Sequence, residues 1–128
     1  MNEMLDYTRD FIAALIFTIT IETGVLFLVA RKLFHVPETE LSIKKLLFAG
    51  CFASFATLPY VWYIFPILLY RSYALAVGVS EICIFLIEAV FYSAFLHFTI
   101  KKSLVVSSLA NVASLILWFL ILKIVRLL

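Results

Sequence analysis

The chain has 128 residues, of which 66% are hydrophobic and 14% charged, with a formal net charge of +2 and a mean hydropathy of +1.16. So little polar surface cannot cover a soluble globular domain of this length, and the composition specifies an integral membrane protein whose first partner is the lipid bilayer. The excess of positive charge does not indicate nucleic acid, because the Lys and Arg residues stand at the ends of apolar runs and form no basic patch.

Residues 1–10 carry Glu3, Asp6 and Asp10 against Arg9. That is not the basic start of a cleavable signal peptide, and no small-residue cleavage site follows, so the first helix is expected to be retained. This helix is predicted over residues 11–30 and is closed by Arg31 and Lys32. A run of that length spans about 30 Å at the helical rise. Glu22 lies in its middle, with Thr18 one turn away on the same face. Residues 33–45 mix His35, Pro37, Glu38, Glu40, Lys44 and Lys45 and read as an aqueous loop.

A second helix is predicted over residues 46–65, kinked at Pro59 and ended by Pro66. Around it, Tyr60, Trp62, Tyr63, Phe65, Tyr70 and Tyr73 form an aromatic belt at the second interface. The third helix, over residues 75–98, carries Glu81, Glu88 and Tyr92 on one stripe. The fourth, over residues 103–122, places Ser107, Asn111, Ser114 and Trp118 on a single face. A stripe that polar faces protein, not lipid. The fold class is therefore all-α: one transmembrane domain over residues 1–128, built as a four-helix bundle.

The two halves are alike. Residues 42–65 placed over 99–122 give eight identities without a gap. The polar matches pair Ser42 with Thr99, Lys44 and Lys45 with Lys101 and Lys102, Ser54 with Asn111, and Thr57 with Ser114. With an insertion allowed in the first loop, Ile21 and Glu22 match Ile87 and Glu88. The chain reads as a duplicated helical hairpin, and two-span units of this kind are related by a pseudo-two-fold axis along the membrane normal. Glu22 and Ser54 each lie nine residues from the basic turn between them, which puts both about 13 Å from the same interface. Glu88 and Asn111 are matched in depth to within about one turn. Glu22 is accordingly expected to meet Ser54 or Thr57, and Glu88 to meet Asn111 or Ser114.

In this pattern the chain resembles small uncharacterised four-helix membrane proteins of bacteria and archaea. The residues that carry it are Glu22, Ser54 and Thr57 in one hairpin and Glu88, Asn111 and Ser114 in the other; the resemblance brings no activity with it. In size, span number and possession of a glutamate in the first helix the chain is also similar to the small multidrug-resistance transporters. It departs from them in its second central glutamate, its long charged first loop and the surroundings of Glu22, so this similarity is one of architecture only.

Other signals have blander readings. Glu81, near the outer end of its helix, reads as a solvated interfacial acid. Ala49, Gly50, Ala53, Ala56 and Ala110 mark close helix packing rather than a pore. His35 and His97 offer no convergent ligand set, which argues against haem or metal, and no cofactor is expected. Cys51 and Cys83 differ in depth by about 15 Å, too far for a disulfide, and read as free thiols packing as small hydrophobes. There is no HExxH motif, and the only aspartates, Asp6 and Asp10, precede the first apolar run, so no enzyme is expected.

An ionised, unpaired carboxylate at mid-membrane depth costs roughly 2.5–3.5 kcal/mol on insertion scales, which marks such residues as functional. The expected function is a transport or channel component in which Glu22 and Glu88, with Ser54, Thr57, Asn111, Ser114 and Tyr92, handle a proton or cation. Because four helices enclose little space, a homo-oligomer is expected with it. The alternative is a non-catalytic accessory subunit packed against a larger membrane complex. The loops after the first and third helices hold six basic residues against four on the other side. That bias predicts cytoplasmic loops and outer termini in the plasma membrane.

Overall fold

The computed structural model describes residues 2–127, which form helices and turns with no strand among them. Hydroxyl side chains start three of the helices by accepting a free backbone N–H of the first turn. Ser42 accepts from Lys45 at 3.3 Å and opens α2 (Ile43–Pro59). Ser72 accepts from Leu75 at 3.3 Å and opens α4 (Tyr73–Leu96), after the short α3 (Phe65–Leu68). Thr99 accepts from Lys102 at 3.4 Å ahead of α5 (Ile100–Leu127). The first helix, α1 (Asn2–Leu28), begins well before Phe11, and α5 runs beyond Leu122. Apolar runs report the thickness of the bilayer, whereas charged residues extend a helix into water without penalty: Arg9 pairs with Asp6 one turn away at 3.2 Å.

Both histidines have a backbone task. α1 passes into a wide π turn (Val29–Leu33), and His35 follows with φ 54°, while His97 caps α4 with φ 58°. The left-handed conformation ends a helix, and histidine is among the non-glycine residues enriched in it. Arg31 then holds the first loop by donating to the carbonyls of Val36 at 2.8 Å and Leu41 at 2.6 Å.

Of the two prolines in the second span, Pro66 acts differently from expectation. Pro59 closes α2, and the chain continues through a second π turn (Tyr60–Ile64) into α3. That wider turn lies just before Pro66 and accommodates its ring, which would otherwise meet the Trp62 carbonyl one turn back. Pro66 does not end the second span but sits in the first turn of α3, where a missing N–H breaks no bond.

Four stretches, Glu3–Leu33, Ile43–Leu68, Tyr73–Leu96 and Ile100–Leu127, are long and apolar enough to cross a membrane. α1 packs against α2 and α5, and α4 packs against the same two, so the ring order is α1, α2, α4, α5 with α1 diagonal to α4. Small residues set the spacing. A Cβ on Gly50 would lie 2.8 Å from the Thr23 backbone, so α2 approaches α1 as closely as a glycine allows. Ala49, Ala53 and Ala110 are buried with it. Ala56 instead faces outward, as does the thiol-bearing Cys51, while Cys83 is half-buried; neither cysteine is paired.

At the loop end of the bundle an apolar cluster closes the centre, with Leu26, Leu46, Tyr92 and Val106 fully buried and Leu96 and Phe98 against them. Lys45 lies over the Phe95 ring and Lys102 over the Phe34 ring, 5.3 and 5.1 Å from the centroids, which ties the hairpins together at that end.

Candidate functional site

Glu22 and Glu88 are 2% and 1% exposed, facing one another's helices from opposite corners of the ring. Each carboxylate oxygen meets one side-chain donor. Ser54 donates to Glu22 Oε2 at 2.7 Å and Asn111 donates to Glu88 Oε2 at 2.6 Å, both within a hairpin. Ser114 donates to Glu22 Oε1 at 2.8 Å and Thr57 donates to Glu88 Oε1 at 3.0 Å, both between hairpins.

The first pair of contacts matches the depth argument; the second corrects it, because Thr57 and Ser114 serve the glutamate of the other hairpin. Helical geometry supplies the reason. Three residues advance the side chain by about 300°, equivalent to a step of about 60° back around the helix. Ser54 therefore faces α1 while Thr57 faces α4, and on the other side Asn111 faces α4 while Ser114 faces α1.

Each hydroxyl carries one proton and has a second acceptor at hand in its own helix. Ser54 lies 3.0 Å from the Gly50 carbonyl, Thr57 2.8 Å from that of Ala53, and Ser114 3.0 Å from that of Asn111. A hydroxyl that turns its proton to the backbone offers a lone pair to the glutamate, so these three groups satisfy either an ionised or a protonated carboxyl. Asn111 also donates to the Ser107 carbonyl at 2.9 Å, which fixes its amide. Its nitrogen thus marks Glu88 Oε2 as an acceptor, leaving Oε1 as the oxygen able to carry a proton.

A cavity of about 380 Å³ runs from the termini end of the bundle down to this cluster. Its innermost lining residues are Glu22 on α1, Thr57 on α2, Glu88 on α4 and Asn111 on α5, so the hydrogen-bonded carboxylates form its floor. Towards the mouth the wall includes Thr18, Glu81, Trp118 and, near the rim, Tyr7, Asp10 and Trp62. The rim is built by aromatic packing: the Tyr7 ring lies 5.4 Å from Trp62 and 5.6 Å from Tyr63, and the Tyr7 hydroxyl donates to the Trp62 carbonyl. Beneath the floor lies the apolar cluster, so the cavity ends blind.

Six of the seven sequence-predicted residues are thus brought together: Glu22, Glu88, Ser54, Thr57, Asn111 and Ser114. Tyr92 is not. It is fully buried in the apolar cluster one turn below Glu88, its hydroxyl has no protein partner, and it is not part of the cavity wall. Glu81 moves the other way, from an interfacial acid to a half-buried residue of the wall. The seven-residue spacing from Glu81 to Glu88, two helical turns, is the signal that would have placed it there. Asp10, Tyr7 and Trp62 carry no such signal, because they meet only through the packing of α1 on the π turn after α2.

One chain builds the whole cavity. Comparison of the chain with family models, with curated proteins and with solved structures finds no match.

Proposed function

We propose that this protein is a small membrane transport component in which Glu22 and Glu88 bind a proton or cation taken from the termini side. The observation that carries the reading is the charge of the cavity: its wall holds Asp10, Glu22, Glu81 and Glu88 and no Lys, Arg or His among the described residues. Asp10 at the rim pairs with Arg9 at 3.3 Å, whereas Glu22, Glu81 and Glu88 have no basic partner among the described residues, and carboxylates so placed favour a positive charge that a ligand or a proton supplies. With the orientation that the basic loops predict, the cavity opens to the outside. Passage to the other side requires the apolar layer around Tyr92 and Leu46 to part.

The same reading takes the two hairpins as a duplication with its axis along the bundle. Its support is that exchanging the hairpins leaves the hydrogen-bond pattern unchanged, with Glu22 replacing Glu88, Ser54 replacing Asn111 and Thr57 replacing Ser114. Ser42 and Thr99, also equivalent in the alignment, perform the same capping of Lys45 and Lys102. An accessory-subunit role has less to stand on, because the polar stripe of α5 is spent inside the chain: Ser107, Asn111 and Ser114 are all buried.

The test is flux in proteoliposomes. Purified protein is expected to carry protons or monovalent cations down an imposed gradient, and Glu22→Gln and Glu88→Gln to abolish the flux while keeping the folded state. Flux equal to that of empty liposomes, or variants indistinguishable from the parent, overturns the reading.

A further inference from the structure

We propose that the groove where the start of α4 meets the end of α5 is a binding site for one anionic phospholipid, its phosphate held between Lys123 and Arg126 and its acyl chains laid along Phe119 and Leu122. The site lies on the outer wall of the bundle and does not depend on what the central glutamates carry.

The shape of the groove comes first. It encloses about 420 Å³ and is lined by Tyr73 on α4 and by Phe119, Leu122, Lys123, Arg126 and Leu127 on α5. Phe119, Leu122, Lys123 and Arg126 stand at i, i+3, i+4 and i+7, which aligns them as one stripe of the helix. The stripe changes character along its length. It is apolar at Phe119 and Leu122, towards the middle of the bilayer, and basic at Lys123 and Arg126, towards the helix end. A phospholipid presents its chains and its phosphate in that same order.

Charge comes second. Both ion pairs among the described residues belong to Arg9, with Asp6 and with Asp10, so Lys123 and Arg126 have no acidic partner there. Two cations one turn apart on a helix repel each other. A phosphate between them removes that repulsion, the guanidinium offering a fork of donors to its oxygens and the ammonium a compact charge.

Depth identifies the anion as a headgroup. Glu88 on α4 and Asn111 on α5 are joined at 2.6 Å. Tyr73 precedes Glu88 by fifteen residues and Arg126 follows Asn111 by fifteen, so both stand about 22 Å from that bond at one level, with Lys123 about one turn deeper. Tyr73 belongs to the aromatic belt, and such residues sit at the level of the lipid headgroups. The turns that carry the two cations are otherwise apolar, with Ile121, Ile124 and Val125 exposed around them. That surface lies against lipid, from which Lys123 and Arg126 reach up to the phosphates. Tyr73 and Phe119 also line the central cavity, so the seated lipid covers the seam of α4 and α5 along the cavity wall.

The full chain in a nonionic detergent is mixed with equal amounts of phosphatidylglycerol and phosphatidylcholine of the same acyl chains, and the retained lipid is counted by native mass spectrometry. Retention of one phosphatidylglycerol per chain is expected, with a preference over phosphatidylcholine that falls roughly tenfold when Lys123→Gln and Arg126→Gln are combined. Lys123→Arg combined with Arg126→Lys should keep the preference. So should Lys32→Gln combined with Lys101→Gln, which removes two exposed cations at the loop end. All variants are expected to unfold at the parent temperature in detergent alone; if the doubly neutral chain does not, Lys123→Gln and Arg126→Gln are measured singly, and each should lower the preference. A parent without preference, neutral variants that keep it, or an equal loss in the loop-end variant overturns the proposal. Displacement of the lipid by inorganic phosphate at equal concentration would assign the groove to a soluble anion, and a dimer that the neutral variant dissociates would assign it to a second copy of the chain; either result also overturns it.

Discussion

Ser114 on α5 donates to Glu22 on α1 at 2.8 Å across 92 positions of sequence, and this bond, with its counterpart from Thr57 to Glu88, joins the two hairpins at the floor of the cavity. Double-mutant cycles measure such a link directly. The pairs Glu22 with Ser114 and Glu88 with Thr57 should show coupling of about 0.6 kcal/mol, up to about 1.7, the range found for polar contacts between membrane helices. Glu22 with Thr57 should show none. Coupling in that last pair, and not in the first two, would return each hydroxyl to the glutamate of its own hairpin.

Removing a partner should harm the fold more than altering the acid. Asn111→Leu leaves Glu88 Oε2 buried without its 2.6 Å donor, an expected loss of about 1–3 kcal/mol. Glu88→Gln keeps an acceptor for Asn111 and turns its NH₂ to Thr57, whose oxygen accepts. Thermal unfolding in detergent should therefore show a clear drop for Asn111→Leu and little change for Glu88→Gln.

The closest approach in the bundle makes its own prediction. Gly50→Ala sets a methyl group 2.8 Å from the Thr23 backbone, and because backbone must move, a loss of about 1–3 kcal/mol is expected. Thr23→Ala should not rescue it. Gly24 and Gly78 have open space where a Cβ would stand, so Gly24→Ala and Gly78→Ala should unfold at or above the parent temperature.

The cavity leads to the glutamates from the termini end, and cysteine labelling can map the access it gives to water. In a background with Cys51→Ala and Cys83→Ala, Thr18→Cys should react with a membrane-impermeant thiol reagent added on the termini side. Leu46→Cys, in the apolar layer, should stay unlabelled from either side. Labelling of Leu46→Cys from the loop side would mean that the apolar layer does not seal the cavity.

Much of this molecule is decided by local rules that a sequence displays. Apolar runs interrupted by basic turns specify four membrane-length helices, because in hydrocarbon the backbone must satisfy itself. Counting residues from the basic turns placed Glu22 level with Ser54 and Glu88 within about one turn of Asn111, since rise per residue is fixed. Tertiary structure decided what depth cannot. Which of two neighbouring helices receives the hydroxyl of Thr57 or Ser114 depends on the ring order α1, α2, α4, α5, a property of packing that no spacing within one helix contains. The same holds for Glu81, which becomes part of a cavity only because residues of α1, α2 and α5 line the space in front of it. Tyr92 shows the converse: it shares the stripe of Glu88, yet one turn nearer the loops the four helices close around it and the stripe ends in apolar core.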